Sequence, residues 1–430
     1  MQRFLRNTLF PLFLMLTCPP TVILVWYINT ALDGSVLTFY HLILNNGFFT
    51  TLWSIWHPVF WGTAIAWKII AVFMSVQLLL MRAVPGKTIV GPETLKGHVP
   101  IYKNNGFLCF LITIALFLLC THVLHLFSST IVYDHFAGIL GALNIFSLGF
   151  CFMLYLKGRF KPSSRDHSVT GNFIFDYYWG TELYPRILGW DIKQFTNCRF
   201  GMMSWPVIII SFAAKQSALF GLTNSMLACI SIMLLYIAKF FYWESGYLRS
   251  MDIMHDRAGF YICWGCLVWV PGIYTLPVMY LVNHPYHFST TMAVAIALFG
   301  MTAVMLNYFA DRQRQKVRAT EGNCKIWGKP PTLIRAIYLD QHGREKQSLL
   351  LTSGFWGISR HFHYVLEISL AFFWTLPVLF FHFLPWFYVI FLTILLVHRA
   401  YRDDDRCAEK YGEYWTQYCK LVPNKILPWK

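Results

Sequence analysis

Charge is scarce in this chain. Only 13% of its 430 residues are Asp, Glu, Lys or Arg, about half the share of ordinary soluble proteins, where roughly 25% are charged. With 57% hydrophobic residues and a mean hydropathy of +0.49, a soluble globular domain is excluded. Acids are scarcer than bases, 20 against 35, for a net charge of +15. In a nucleic-acid binder that surplus lies on an exposed face. Here it must fit into loops between apolar runs, as in a multi-span membrane protein with its basic loops inside, and it suits an anionic ligand.

Several chemical signatures are missing as well. No G-x-G-x-x-G occurs, which argues against a Rossmann dinucleotide site. Gly86-Lys87-Thr88 ends like a phosphate-binding loop, but Met81 stands where its first glycine is required. His361/His363 and His284/His287 lack the i, i+4 spacing of a helical zinc pair and have no cysteine at ligand spacing, so no metal is expected. The eleven cysteines are odd in number and sit mostly in apolar runs, which implies no disulfide framework. Cys263 and Cys266 match a redox spacing without its strand context and read as buried small hydrophobes. The N-terminus opens like a signal peptide, with Arg3 and Arg6, but its apolar run is long and lacks a small-residue cleavage site, so a retained first span is expected.

What the chain has in abundance is apolar runs. Crossing about 30 Å of hydrocarbon takes roughly 20 residues of helix. Ten runs qualify, near 8–30, 55–81, 106–128, 135–156, 203–222, 225–243, 258–282, 290–309, 364–382 and 384–398, the last two close enough to form a re-entrant hairpin. The expected fold is therefore an all-α polytopic membrane protein with about ten transmembrane helices. Basic stretches at 82–105, 157–202 and 310–353, and a fourth from 398, belong on the cytoplasmic side. The third carries nine Lys or Arg against four acids and reads as an interfacial subdomain with a hairpin around His342-Gly343.

Four constellations interrupt the apolar pattern. In residues 239–277, Glu244, Arg249, Asp252, His255, Asp256 and Arg257 stand among Tyr242, Trp243, Tyr247, Tyr261 and Tyr274. An ionisable group at membrane depth costs about 2.5–3.5 kcal/mol on insertion scales, which marks it as functional. The bland alternative is a polar turn, with Asp252 and Asp256 paired to Arg249 and Arg257. Glu244 has no base on its own face, and such a carboxyl is expected to stay protonated and act as a proton donor. Second, Arg314 and Arg318 share a helix face at i, i+4, suited to phosphates or to anionic lipid heads. Third, residues 349–364 place Trp356, Arg360, His361 and His363 where a span begins. Fourth, residues 398–415 interleave Arg399, Arg402 and Arg406 with acids and aromatics, either a salt-bridged surface helix or part of a pocket wall. Three arginine and aromatic clusters on one side of the membrane suggest the wall of a phosphate-bearing cofactor's pocket.

These residues are familiar together. VPGKTIVGPETLKGHVPIYKNNG (84–106), IVYDH (131–135), GNFIFDYYWGTELYPRI (171–187), TNCRFGMMSW (196–205), MDIMHDRAGFYICWGCLVWVP (251–271), DRQRQKVR (311–318), TSGFWGISRHFHY (352–364) and RDDDRCAEKYGEYW (402–415) resemble the sterol reductase family over nearly the whole chain. That family takes in delta-7 and delta-14 sterol reductases and the membrane portion of the lamin B receptor, and the likeness is strongest to plant-type delta-7 reductases. The resemblance implies an NADPH pocket on the cytoplasmic side of the C-terminal half, at Arg314, Arg318, Leu351, Trp356, His363, Arg399, Asp403 and Tyr411. His363 stands where many relatives have Asn, and Asp311 replaces the usual Asn before the basic helix. The receptor's extra N-terminal region is absent, which speaks against chromatin tethering.

The implied activity is NADPH-dependent reduction of a sterol ring alkene, most simply at delta-7. The alkene is protonated and hydride then goes to the cationic neighbour. Glu244, Tyr247, Asp252 and Asp256 supply or relay the proton, while Tyr242, Trp243 and Tyr274 stabilise the cation. Three organisational segments follow: 1–202 with N-terminal helices, 203–309 with the proton-donor site, and 310–430 with the cofactor region. The sterol enters from the bilayer and NADPH from the cytoplasm, and the two pockets are expected to join near residues 239–277 and the Trp356 turn. No nucleic acid or metal is expected as partner. The membrane is endoplasmic reticulum in a eukaryote or the inner membrane in a bacterium. Alternatives are a delta-14 or side-chain alkene as substrate, an isoprenylcysteine-type methyltransferase, and a non-catalytic sterol-binding protein. Arg314 and Arg318 speak against the methyltransferase, whose S-adenosylmethionine has no phosphate.

Overall fold

Inside a bilayer an isolated segment satisfies its backbone only by closing its own helical ladder, and the apolar runs do so. The computed structural model describes residues 4–94, 96–339 and 343–427. Among these, nine helices are long and apolar enough to span a membrane. They are α1 (Leu5–Ala31), α2 (Ala64–Ala83), α3 (Gly106–Val123), α4 (Phe136–Phe160), α5 (Gln194–Phe220), α6 (Asn224–Tyr242), α7 (Phe260–Asn283), α8 (Thr290–Ala319) and α10 (Leu384–Tyr411), while the apolar helix α9 (Phe362–Val378) is shorter. The protein is thus an all-α polytopic membrane protein. The ends differ from expectation where caps override hydropathy. The run at 55–81 is broken after a separate helix, Phe48–Trp56. α2 then restarts at Ala64 because the Thr63 side chain accepts the Ala66 N–H, satisfying one orphan donor of its first turn.

The chain forms two compact units, residues 1–289 with 378–386, and residues 290–377 with 387–430. The expected divisions at 202 and 309 fall inside α5 and α8. In the first unit α1 to α7 are tied by buried amides. Asn144 on α4 donates to the Pro19 carbonyl of α1 at 3.3 Å and accepts from the Trp264 indole of α7 at 2.9 Å. Gln77 of α2 donates to Thr113 of α3 at 3.0 Å. Between helices bathed in lipid, such bonds and close packing replace the hydrophobic drive of a soluble core. At one end of this unit, segments 32–63, 124–135, 221–223, 284–289 and 379–386 contain no Lys or Arg, whereas the opposite loops carry Lys87, Lys96, Lys103, Lys161, Arg165, Arg186, Lys193, Arg249 and Arg257. That asymmetry is the pattern the positive-inside rule expects of a basic and a non-basic side.

Two small hairpins shape those basic loops. β1 (Lys87–Val90) pairs antiparallel with β2 (Ile101–Asn104), and β3 (Arg186–Ile187) with β4 (Trp190–Asp191). They deliver Asn105 and Lys193 to the entrances of α3 and α5. The entrances of α5 and α7 are wide π-type turns, Gln194–Met202 and Phe260–Trp269, a geometry that recurs at functional sites.

The second unit contains α8, α9 and the α-helical part of α10, with a hairpin and a final helix, Glu413–Leu421. β5 (Leu333–Leu339) pairs antiparallel with β6 (Glu345–Leu351), from Leu333↔Leu351 to Leu339↔Glu345. This is the anticipated hairpin, although His342 lies outside the described residues. Strand alternation sorts its side chains. Leu349 and Leu351 pack with Val317 and Trp356, and Leu350 packs with Tyr411, Trp415 and Tyr418.

Candidate active site

Glu244 is fully buried and so is Arg199, and the two form an ion pair. Arg199 uses its other terminal nitrogen to reach Glu244 Oε2 at 3.1 Å and Asn105 Oδ1 at 2.8 Å. Asn105 in turn donates to the Met81 and Val84 carbonyls at the end of α2, at 3.1 and 2.9 Å. Glu244 Oε2 also accepts the Gly106 N–H at 2.9 Å, so the carboxylate sits on the first turn of α3, where the helix dipole favours a negative charge. The lone proton-donating carboxyl expected from the sequence is corrected here. Its base comes from another helix, 45 residues away, and its oxygens accept hydrogen bonds. Gly106 is required for this approach, since a Cβ there would lie 2.5 Å from Glu244 Oε2. Gly106→Ala is expected to lower stability by about 1–3 kcal/mol, the range for forced overpacking, read as a lower melting temperature in detergent.

Residues 243–259 form a turn between the end of α6 and the start of α7, built from the single-turn helices Glu244–Tyr247 and Met251–Met254. The Tyr247 hydroxyl accepts from Asn197 at 3.0 Å, and its ring lies 5.0 Å from Phe240. Asp252 is half-buried and Asp256 is buried, 1% exposed. Arg257 donates to the Thr181 carbonyl at 2.8 Å. Beneath the turn lie Asp191 and Lys193. Burial raises the Asp191 carboxyl above its ordinary range and lowers the Lys193 ammonium to about 8, since both charged forms lose hydration. Tyr274 meets the fully buried Trp205 edge-to-face at 5.4 Å. Tyr242 is turned outward, 64% exposed, with Phe107 at its edge. The turn therefore gathers Glu244, Tyr247, Asp252 and Asp256 on one short segment, while Tyr242 and Tyr274 stand on α6 and α7.

In the second unit the arginine and aromatic clusters come together. The Arg314 guanidinium lies 4.0 Å over the Trp356 ring, a cation–π contact. The Trp356 indole donates to the Ala310 carbonyl at 2.8 Å. Gly354 adopts φ +66°, a left-handed turn that glycine takes without a Cβ clash. Gln313 then accepts the Phe355 N–H at 2.9 Å and caps the short helix Phe355–Ile358. Arg318 follows one turn after Arg314 and is exposed. Leu351 is buried beside Trp356. The His363 ring is 4.9 Å from Trp356 and 4.2 Å from Tyr364. On α10, Arg399 precedes Asp403 by one turn, Asp403 pairs with Arg406 at 2.5 Å, and the Tyr411 hydroxyl donates to Ser348 at 3.3 Å.

Sequence reasoning gave no role to Arg199, and it named Arg360 and His361 only as members of the cluster at 349–364. Arg199 lies within TNCRFGMMSW, and a lone arginine entering an apolar run was the available signal. His361 is buried at 4% exposure and stacks on Tyr364 at 5.0 Å. Burial drives its imidazole down to about 4 against the pull of Asp403, so it is neutral at pH 7, and its Nε2 has no hydrogen-bond partner among the described residues. Asp404 bridges Arg360 at 3.2 Å and Lys425 at 3.0 Å, and Arg360 donates to the Val422 carbonyl at 2.8 Å. This fastens the segment after the final helix to the start of α9.

Comparison with known proteins gives this geometry a context. Residues 11–429 match the model of the ergosterol biosynthesis ERG4/ERG24 family. The chain is 51% identical over 417 residues to a 7-dehydrocholesterol reductase of Arabidopsis thaliana, covering 96% of this chain and 95% of that protein. It is 40% identical to the protein of the same name from Xenopus laevis, covering 85% and 79%. A delta(14)-sterol reductase of Methylotuvimicrobium alcaliphilum is 35% identical, covering 97% and 93%.

Proposed function

The chain belongs to the ergosterol biosynthesis ERG4/ERG24 family of sterol reductases, and we propose that it reduces the delta-7 double bond of a membrane sterol with NADPH. The observation that carries the choice of bond is the 51% identity, across nearly all of both chains, to a protein named for 7-dehydrocholesterol. The membrane is that of the endoplasmic reticulum in a eukaryotic cell and the inner membrane in a bacterial one.

The second unit's residues fit a phosphorylated dinucleotide. Arg314 and Arg318 are cations one turn apart on α8, and a guanidinium fork matches phosphate oxygens. Trp356 and His363 offer ring faces, Leu351 an apolar wall, and Arg399, Asp403 and Tyr411 polar groups along α10. The buried, unpartnered His361 Nε2 marks a place where a ligand atom completes the hydrogen bonding. NADPH supplies the hydride when bound.

The chain's own task is the proton. A ring alkene or diene with no electron-withdrawing group accepts hydride only after protonation of one carbon. Tyr247, Asp252 and Asp256 carry the donor groups, on a turn that the Glu244–Arg199 pair anchors to α3 and α5. Tyr274 and Trp205 bring ring quadrupoles that favour a nearby cation. Loss of a general acid typically costs 10²–10⁴-fold. Asp252→Asn and Asp256→Asn, assayed separately in purified protein, are therefore expected to include at least one variant slowed by roughly that factor, with the fold intact by melting temperature. Wild-type turnover in both would exclude the two aspartates as the acid and leave Tyr247 as the donor on this turn.

Expression in a sterol-making host that accumulates delta-5,7-dienes tests the choice of bond. The expected product is the delta-5 sterol. A second reading, reduction at delta-14, is favoured by the 35% identity to the delta(14)-sterol reductase. Loss of delta-14 sterols with delta-7 bonds left intact would establish that reading instead.

A further inference from the structure

We propose that Lys193 is a positioning residue for the proton-donating turn, holding Asp252 and Asp256 in register through their backbone. This rests on the assignment of the donor to that turn. Lys193 is wholly buried, yet it faces the ends of three carbonyl bonds. Its Nζ donates to the carbonyls of Asp252 at 3.2 Å, Ile253 at 2.6 Å and Asp256 at 2.7 Å. An ammonium has three N–H donors, and all three have acceptors. These carbonyls lie at and just beyond the end of the helix Met251–Met254, too short to hold itself by its own ladder. Favourable placement of a cation against terminal carbonyls supplies what the ladder lacks.

The lysine is itself fixed from several sides. The Asp191 and Asp256 carboxyl groups and the Arg257 guanidinium face it, with the Cys263 thiol nearby. The Tyr184 ring lies 5.1 Å from Nζ. β4 and the wide first turn of α5 set its backbone, because Asp191 accepts the Gln194 N–H at 2.9 Å. Tyr184, Leu248 and Ile253 close the apolar shell with Tyr102. Burial lowers the ammonium to about 8. Deprotonation removes one donor, so one of the three carbonyls is released and the turn loosens. Activity and stability then move in opposite directions. A lysine with a folded value of about 8 and an ordinary value of 10.5 binds fewer protons folded than unfolded across that window, so the linked stability rises with pH there. A fall in turnover over the same range is thus not unfolding.

The test is kcat against pH from 7 to 9.5 in the purified full chain, with melting temperature measured at each pH. Wild type is expected to lose kcat with a midpoint near pH 8 while the melting temperature does not fall. Lys193→Arg keeps its charge throughout and is expected to keep kcat across that range. Lys193→Gln is expected to lower kcat on the order of a hundredfold, the scale of a 1 Å misplacement, with the alkaline limb gone and the KM for sterol unchanged. The proposal is overturned by a limb near pH 8 that persists in Lys193→Arg, and equally by Lys193→Gln retaining wild-type kcat. If Lys193→Gln does not fold, the Lys193→Arg profile decides. Absence of sterol-dependent NADPH oxidation in wild type at pH 7 would instead overturn the proposed function, separating the two failures.

Discussion

Glu244→Gln is expected to destabilise the protein by about 3–5 kcal/mol, the cost of leaving one partner of a buried ion pair uncompensated. Arg199 would keep its charge in a fully buried position with neutral side-chain acceptors in place of the carboxylate, Asn105 among them. The loss should appear as a marked drop in melting temperature in detergent and poor recovery from membranes. Arg199→Ala should do the same by stranding the carboxylate. The double variant Arg199→Met with Glu244→Leu removes both charges and keeps volume, so it should regain part of the loss, because replacing a whole buried pair by apolar groups is often neutral or better. Equal damage in single and double variants would show that the pair's charges are not what holds α2, α3 and α5 at the turn.

Arg314→Ala is expected to raise the KM for NADPH by about 10- to 100-fold, since a hydrogen bond to a charged group contributes roughly 1.5–3 kcal/mol. The KM for sterol should stay unchanged. Arg314 rests over the Trp356 ring at 4.0 Å, so its fork reaches the ligand with little ordering cost, which Arg314→Lys should not reproduce. Arg314→Ala with an unaltered KM for NADPH would move the phosphates to other residues.

Much of this was legible in the sequence because each feature is local. A span is a run of apolar residues, and every run was visible, although its ends were set by caps such as Thr63 that hydropathy does not weigh. The hairpin β5–β6 could be read from its turn and alternation. Arg314, Trp356 and His363 stood out because charge and indole at a span's end are rare. The Arg199–Glu244 pair could not be read this way. Its partners belong to different helices, and scoring each helix alone makes Glu244 look solitary. Lys193 was hidden for the opposite reason: a lysine in a basic loop resembles the topogenic charges around it, and only the packed turn shows that its ammonium is inside.

The central claim is that one hydrogen of the product comes from an acid of the protein and the other from the nicotinamide. Purified protein in lipid nanodiscs, given a delta-5,7-diene sterol, NADPH deuterated at C4 and, separately, unlabelled NADPH in deuterated water, tests both halves by mass spectrometry of the product. The account predicts one carbon-bound deuterium from the cofactor in the first experiment and one from solvent in the second. A product carrying no cofactor deuterium, or both hydrogens from solvent, would contradict it.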